Sequence, residues 1–178
     1  MNIVTLLQPP RIVIGDGCAP HCAEYLAQRG IHRALLVSST PVLPALGHVL
    51  GPLQKADVAV VATTPVDCEP TRTMFERMLA VARQEKIEAV LGIGGGSVID
   101  VAKLIAALTH GSQGVAEVFG INLLASRALP LVCLPTTAGT GAEVSPNAIL
   151  LDESDELKKG VVSPYLVPDA AFIDPLLM

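Results

Sequence analysis

Residues 88–103, EAVLGIGGGSVIDVAK, place the consecutive glycines Gly94, Gly95 and Gly96 between an apolar run and a helix-like pattern. Glycine is costly to order, so three in a row suggest that the backbone comes close to another group. Where a buried strand runs through glycines into a helix, the first helical amides point away from the sheet and favour an anion. We therefore expect the N–H groups of Gly95, Gly96 and Ser97 to face a pyrophosphate.

Two familiar phosphate-binding patterns differ from this segment. A G-x-G-x-x-G fingerprint starting at Gly92 would need glycine where Ser97 stands, and a P-loop would need Gly-Lys-Ser/Thr. Asp100 falls in the predicted first helical turn, where a carboxylate is stabilised by the helix dipole. The alternative interpretation of the glycines is a tight structural turn.

A second polar loop follows another apolar run, at residues 134–145, LPTTAGTGAEVS. It contains Thr136, Thr137, Thr140 and glycines including Gly139, and hydroxyls with unobstructed amides suit ribose and phosphate. A network of Ser/Thr turns is the structural alternative. Two such loops at one sheet edge favour a dinucleotide.

Short β-branched runs alternate with helical patterns along the chain, which predicts an α/β fold with a parallel sheet and crossover helices. The polar run at 152–159, DESDELKK, is interpreted as a solvated turn. The predicted strands are 11–15, 33–39, 57–63, 88–94, 129–135, 147–151 and 170–174. The predicted helices are 18–30, 41–55 (interrupted by proline), 71–86 and 97–110.

The amino-acid composition limits the classes of protein and of partner that fit this sequence. The 178 residues are 51% hydrophobic and 16% charged, as expected for one domain whose sheet is covered on both faces. A net charge of -5 argues against a nucleic-acid partner. No signal peptide or apolar run of about 18 residues is apparent, so no membrane association is expected. Four scattered cysteines are typical of a reduced, cytoplasmic protein, and we assign no metal site to Cys18, His21 and Cys22.

The segment GGGSVIDVAK, followed later by PTTAGTGAEVS, resembles the iron-containing (group III) alcohol dehydrogenase family, which shares the dehydroquinate synthase-like architecture. The resemblance extends from GDG at 15–17 to VPDAAFIDP near the end of the sequence. It implies a Rossmann-like domain that binds NAD or NADP.

The resemblance also implies roles for individual residues. Gly96 and Ser97 would hold the pyrophosphate, and Lys158 of ELKKG would reach a ribose hydroxyl. Ser39 would lie beside the adenosine ribose, where many family members carry aspartate; the missing charge implies tolerance of both NAD(H) and NADP(H). The threonines implied on the adenine and ribose side are Thr136, Thr137 and Thr140.

In the family an all-helical domain follows and holds Fe²⁺ or Zn²⁺ through an aspartate and histidines that lie beyond the IDP segment, where this sequence stops. The resemblance therefore implies that residues 1–178 form a single NAD(P)-binding domain without the C-terminal metal-binding domain, inactive alone. The full enzyme would be a dimer that transfers hydride between nicotinamide and an alcohol or aldehyde. The alternatives are an inactive nucleotide-binding module or fragment, and a dehydroquinate synthase-like lyase domain.

Overall fold

A computed structural model describes residues 5–178. Its main sheet has six parallel strands in the order β1-β9-β6-β4-β2-β3, and a smaller sheet has the order β5-β8-β7. The predicted α/β class with a Rossmann-like parallel sheet is confirmed. The strands are β1 Arg11–Ile14, β2 Arg33–Val37, β3 Ala59–Ala62, β4 Ala89–Gly94, β5 Gly120–Ile121, β6 Leu131–Pro135, β7 Asn147–Asp152, β8 Leu157–Val162 and β9 Ala170–Ile173.

Helices cover both faces of the main sheet. The four α-helices are α1 His21–Ala27, α2 Gly47–Lys55, α3 Arg72–Gln84 and α4 Gly96–Leu108. Side chains of α1 and α2 join one buried cluster and those of α3 and α4 join another. Every residue of β4 and β6 is buried, as expected for strands covered on both faces. None of the helices in the described part of the chain is long and apolar enough to cross a membrane.

The smaller sheet corrects the prediction for residues 152–159. Leu157–Val162 is a strand that pairs antiparallel with Asn147–Asp152, so only the intervening residues form the turn. Lys159 Nζ lies 2.7 Å from the buried carboxylate of Asp152 and closes the hairpin. Charged residues on a strand that is mostly exposed gave this segment the composition of a loop.

The strand order creates a crevice at one edge of the main sheet. The chain passes from β2 through α2 to β3 on one side, then crosses back through α3 to β4 on the other side of β2. The connections therefore diverge between β2 and β4, and open parallel sheets bind ligands at such reversal points, outside the carboxyl ends of the strands.

Candidate functional site

The loops that follow β2, β3, β4 and β6 surround a cleft of about 620 Å³ at this edge. These four strands are neighbours in the sheet, so segments far apart in sequence meet in one place. The structure brings six of the predicted site residues into the lining of this cleft, which we call the main cleft: Ser39, Gly95, Gly96, Ser97, Thr136 and Thr137.

Three hydrogen bonds join the ends of the four strands. The Ser38 hydroxyl donates to the carbonyl of Ile93 at 2.7 Å, linking β2 to β4. The amide of Val66 donates to the Ser38 carbonyl at 2.8 Å, and the amide of Thr136 donates to the Gly94 carbonyl at 3.0 Å. The floor of the cleft is thereby fixed before any ligand binds.

The N-terminus of α4 opens into the main cleft. Gly95 is the N-cap residue, and no side chain caps the helix. The first amides of an α-helix have no intrahelical partner and carry the positive end of the helix dipole. Gly96, Ser97 and Val98 line the cleft, so this end of α4 suits a phosphate group.

The glycines of this segment are required for two different structural reasons. A Cβ added at Gly92 would lie 2.8 Å from the Ala102 Cβ, and one at Gly94 would lie 2.6 Å from a Val98 methyl. Both clashes involve α4, so these two glycines let the helix pack closely on β4. Gly94 therefore has a structural cause, but that cause is the close packing of α4 on β4 and not a tight turn.

Gly95 and Gly96 instead face the threonine loop. A Cβ at Gly95 would lie 3.4 Å from Thr137 Oγ1, and a Cβ at Gly96 would lie 3.1 Å from Thr140 Cγ2. The two loops singled out in the sequence are thus in close proximity, as a shared ligand would require.

A second cleft, of about 300 Å³, adjoins the first because Gly96 and Ser97 line both. It brings together three further predicted residues, Asp100, Thr140 and Lys158. Gly139 lines neither cleft. Its φ of 121° is rare for residues with a side chain, so it shapes the threonine loop.

Asp100 is tied to the small sheet: its carboxylate accepts a hydrogen bond from the amide of Ile149 at 3.0 Å. Burial raises the pKa of Asp100 to about 6, whereas Lys103 and the Ile149 amide act in the opposite direction. Asp100 therefore titrates nearer to neutrality than an ordinary aspartate.

Lys103 is a site-adjacent residue to which sequence reasoning gave no role. Its side chain is fully buried, and Nζ donates to the carbonyls of Ser145 at 2.8 Å and Asn147 at 2.9 Å. Burial lowers the pKa of Lys103, and the nearby Cys133, Asp100 and Glu143 oppose that change. A lysine within the apolar run VAKLIAAL was the available signal.

Two carboxylates on the loop after β3 were also missed. Asp67 lines the main cleft and Glu69 the second cleft. Glu69 accepts a hydrogen bond from the exposed Lys158 ammonium at 2.9 Å. The position of Glu143 after the glycine of TGAEV suggests a structural carboxylate that accepts loop amides, but Glu143 accepts no hydrogen bond from the described residues. Within residues 5–178 no group of three or more His, Cys, Asp or Glu is arranged to hold a metal ion.

Comparisons with known proteins identify relatives that share this fold. The chain is 34% identical to long-chain-alcohol dehydrogenase 1 of Geobacillus thermodenitrificans over 99% of its own length and 46% of that protein. It is 31% identical to the NAD-dependent methanol dehydrogenase of Bacillus methanolicus, covering 96% of the chain and 45% of that protein. Sulfoacetaldehyde reductase from Bifidobacterium kashiwanohense, solved in complex with NAD+, superposes with a TM-score of 0.87 at 28% identity, covering 99% of this chain and 47% of that chain.

The chain thus spans about half the length of these relatives. The family model described as iron-containing alcohol dehydrogenase matches residues 9–175, a range that includes both the glycine segment and the threonine loop. On the strength of that match, the chain belongs to the iron-containing alcohol dehydrogenase family.

Proposed function

We propose that this chain binds NAD(H) and forms the cofactor-binding part of an NAD(P)-dependent, metal-dependent alcohol dehydrogenase or aldehyde reductase. The observation that carries the proposal is the uncapped N-terminus of α4, which opens into a cleft shared with the threonine loop. The named relatives supply the reaction class, since they include an NAD-dependent dehydrogenase and a reductase solved with NAD+.

In this proposal the amides at the start of α4 bind the pyrophosphate, because they are donors without intrahelical partners. The hydroxyls of Thr136 and Thr137 lie across the same cleft and can donate to phosphate or ribose oxygens. Ser39, on the loop that follows β2, would lie beside the adenosine ribose. Bound NAD(H) supplies the hydride chemistry of the reaction.

The second cleft continues from the pyrophosphate position through Gly96 and Ser97. We propose that Asp100, Thr140 and Lys158 contact the remaining part of the dinucleotide there. The Lys158 ammonium already forms an ion pair with Glu69. In the complex it would contact the Glu69 carboxylate and a ribose hydroxyl at the same time. The described residues present no ligand set that fits the family's metal.

Substitution of Gly96 by valine tests the proposal. A Cβ at Gly96 already approaches the Thr140 methyl to 3.1 Å, so a branched side chain fills the gap between the two loops. We expect Gly96→Val to weaken NADH binding at least about a hundredfold, a loss of about 2.7 kcal/mol, in a fluorescence titration.

Gly51→Val is the matched control, because Gly51 also lies in a helix and an added Cβ there meets nothing within 4 Å. It should bind NADH as the unchanged chain does. Equal NADH affinity in the Gly96 and Gly51 variants would refute the proposed site.

A further inference from the structure

Asp67 stands in the main cleft beside Ser39, on the loop between β3 and α3. Its carboxylate accepts two hydrogen bonds from Thr40, one from the amide at 2.7 Å and one from the hydroxyl at 2.6 Å. The Thr40 amide nitrogen is bonded directly to the carbonyl carbon of Ser39. The carboxylate is therefore fixed one residue away from the position where the family resemblance implies an aspartate and this chain has serine.

The charge of Asp67 is not neutralised by a cation. The Thr40 hydroxyl and amide together hold the pKa of Asp67 below its usual value, so the carboxylate is ionised at neutral pH. Among residues 5–178, no lysine or arginine forms an ion pair with Asp67, and none lines the main cleft. The end of the cleft near Ser39 is thus negative.

We infer that Asp67 is the residue through which this site selects NAD(H) over NADP(H). The inference rests on the proposed function and deepens it. Each carboxylate oxygen accepts one hydrogen bond from Thr40 and has a further lone pair that can accept a ribose hydroxyl. NADP(H) instead carries a 2′-phosphate on that ribose, with a charge between -1.5 and about -2 at neutral pH by analogy with other phosphate monoesters, and the carboxylate repels it.

Tolerance of both cofactors is expected only if the cleft carries no negative charge beside Ser39. Asp67 supplies such a charge from the neighbouring loop. NADP-binding sites of this architecture place an arginine near the 2′-phosphate, and within residues 5–178 no arginine lines the main cleft.

A purely structural role for Asp67 makes a different prediction. If its carboxylate only ties the loop after β3 to Thr40, replacing it would weaken both nucleotides alike. If it selects the cofactor, replacing it changes the two affinities in opposite directions, or changes NADPH alone. The ratio of the two affinities therefore separates these roles.

The test titrates the full chain with NADH and NADPH by fluorescence, before and after Asp67→Asn. Asparagine keeps the shape, since its oxygen can accept from the Thr40 amide and its nitrogen can donate to the Thr40 hydroxyl. The unchanged chain should bind NADH at least about tenfold more tightly than NADPH. In Asp67→Asn the ratio of NADH affinity to NADPH affinity should fall by at least about tenfold, mainly because NADPH binds more tightly.

Asp57→Asn is the matched control, because it makes the same change in net charge at a side chain that is 97% exposed. Asp57 precedes β3, at the opposite edge of the sheet from the cleft, and its positive φ suits asparagine. The control should leave the ratio unchanged. An unchanged ratio of the two affinities in Asp67→Asn, or an equal loss of affinity for both nucleotides, would overturn the inference.

A second measurement needs no substitution. Raising the salt concentration screens exposed charges, so the preference of the unchanged chain for NADH should narrow; a preference independent of salt would count against Asp67. Failure of the unchanged chain to bind either nucleotide would overturn the proposed function, and the inference with it. A chain that binds both with equal affinity overturns the inference alone.

Discussion

Asp100 connects the second cleft to the stability of the fold. Its folded-state pKa of about 6 lies above the value near 3.9 expected in the unfolded chain, because burial favours the neutral form. The folded chain therefore holds more protons at this residue than the unfolded chain between about pH 4 and pH 6. Stability from Asp100 is fully present below about pH 4 and is lost as the pH rises through 6.

Replacing Asp100 with asparagine should remove this dependence. The change in pKa corresponds to about 3 kcal/mol at most, and asparagine oxygen can still accept from the Ile149 amide. The difference in free energy of unfolding between Asp100→Asn and the unchanged chain should shift in favour of the variant by up to about 3 kcal/mol as the pH rises from 4 to 7.5. Urea unfolding at several pH values measures this difference, and parallel pH profiles would contradict the assigned pKa.

At the scale of secondary-structure elements, Lys103 joins α4 to the small sheet. Its ammonium donates to Ser145 and Asn147, at the start of β7, while Asp100 of the same helix accepts from Ile149. The N-terminal half of α4 therefore lines the main cleft on one side and holds β7 on another. A movement of the small sheet would therefore change the shape of the second cleft.

Lys103→Met should loosen that attachment. Methionine keeps most of the length of the side chain but cannot donate to the Ser145 and Asn147 carbonyls, and a hydrogen bond to a charged group contributes about 1.5 to 3 kcal/mol. We expect amide hydrogen exchange in β7 and β8 to accelerate at least about tenfold, with α3 unchanged. The exposed Lys55 on α2 provides the control Lys55→Met; similar exchange in both variants would argue against the role of Lys103.

The elements of the main sheet could be predicted because their signals are local: apolar runs of strand length, helical periodicity, and glycines at the strand ends. Of the small sheet only β7 could be predicted, as a strand over residues 147–151, since β8 reads as a charged loop until it pairs with β7. Asp67 and Lys103 were missed for a related reason. Their partners lie 27 and at least 42 residues away in the chain, and only the strand order brings them together.

At the scale of the whole molecule, one edge of the main sheet is an exposed apolar surface. Among residues 5–178, β1 is the outermost strand and pairs only with β9. Ile14 is 70% exposed, and Ile12 and Leu7 are also exposed. The family resemblance implies a contact between copies through residues 3–7 and 11–15, of which residues 3 and 4 lie outside the described range. Unpaired edge strands with apolar side chains tend to associate.

We expect the chain to self-associate through this edge. Replacing Ile12 and Ile14 together with lysine should weaken association at least about tenfold, because lysines on an edge strand oppose pairing. Sedimentation velocity over a range of concentrations measures the change. Ile121→Lys is the control, since Ile121 is equally exposed but lies on the small sheet. A chain that stays monomeric at high concentration would rule out this surface as a contact.

The close packing of α4 on β4 has a consequence for how tolerance to mutation should be distributed along the glycine segment. Gly92 and Gly94 have no room for a side chain because of the helix itself, so variants there should lower the amount of folded protein in a cell. Gly95 and Gly96 meet the threonine loop instead. A mutational scan can score each variant separately for abundance and for nucleotide capture. We expect variants at Gly92 and Gly94 to fail both screens, and variants at Gly95 and Gly96 to fail chiefly the screen for nucleotide capture.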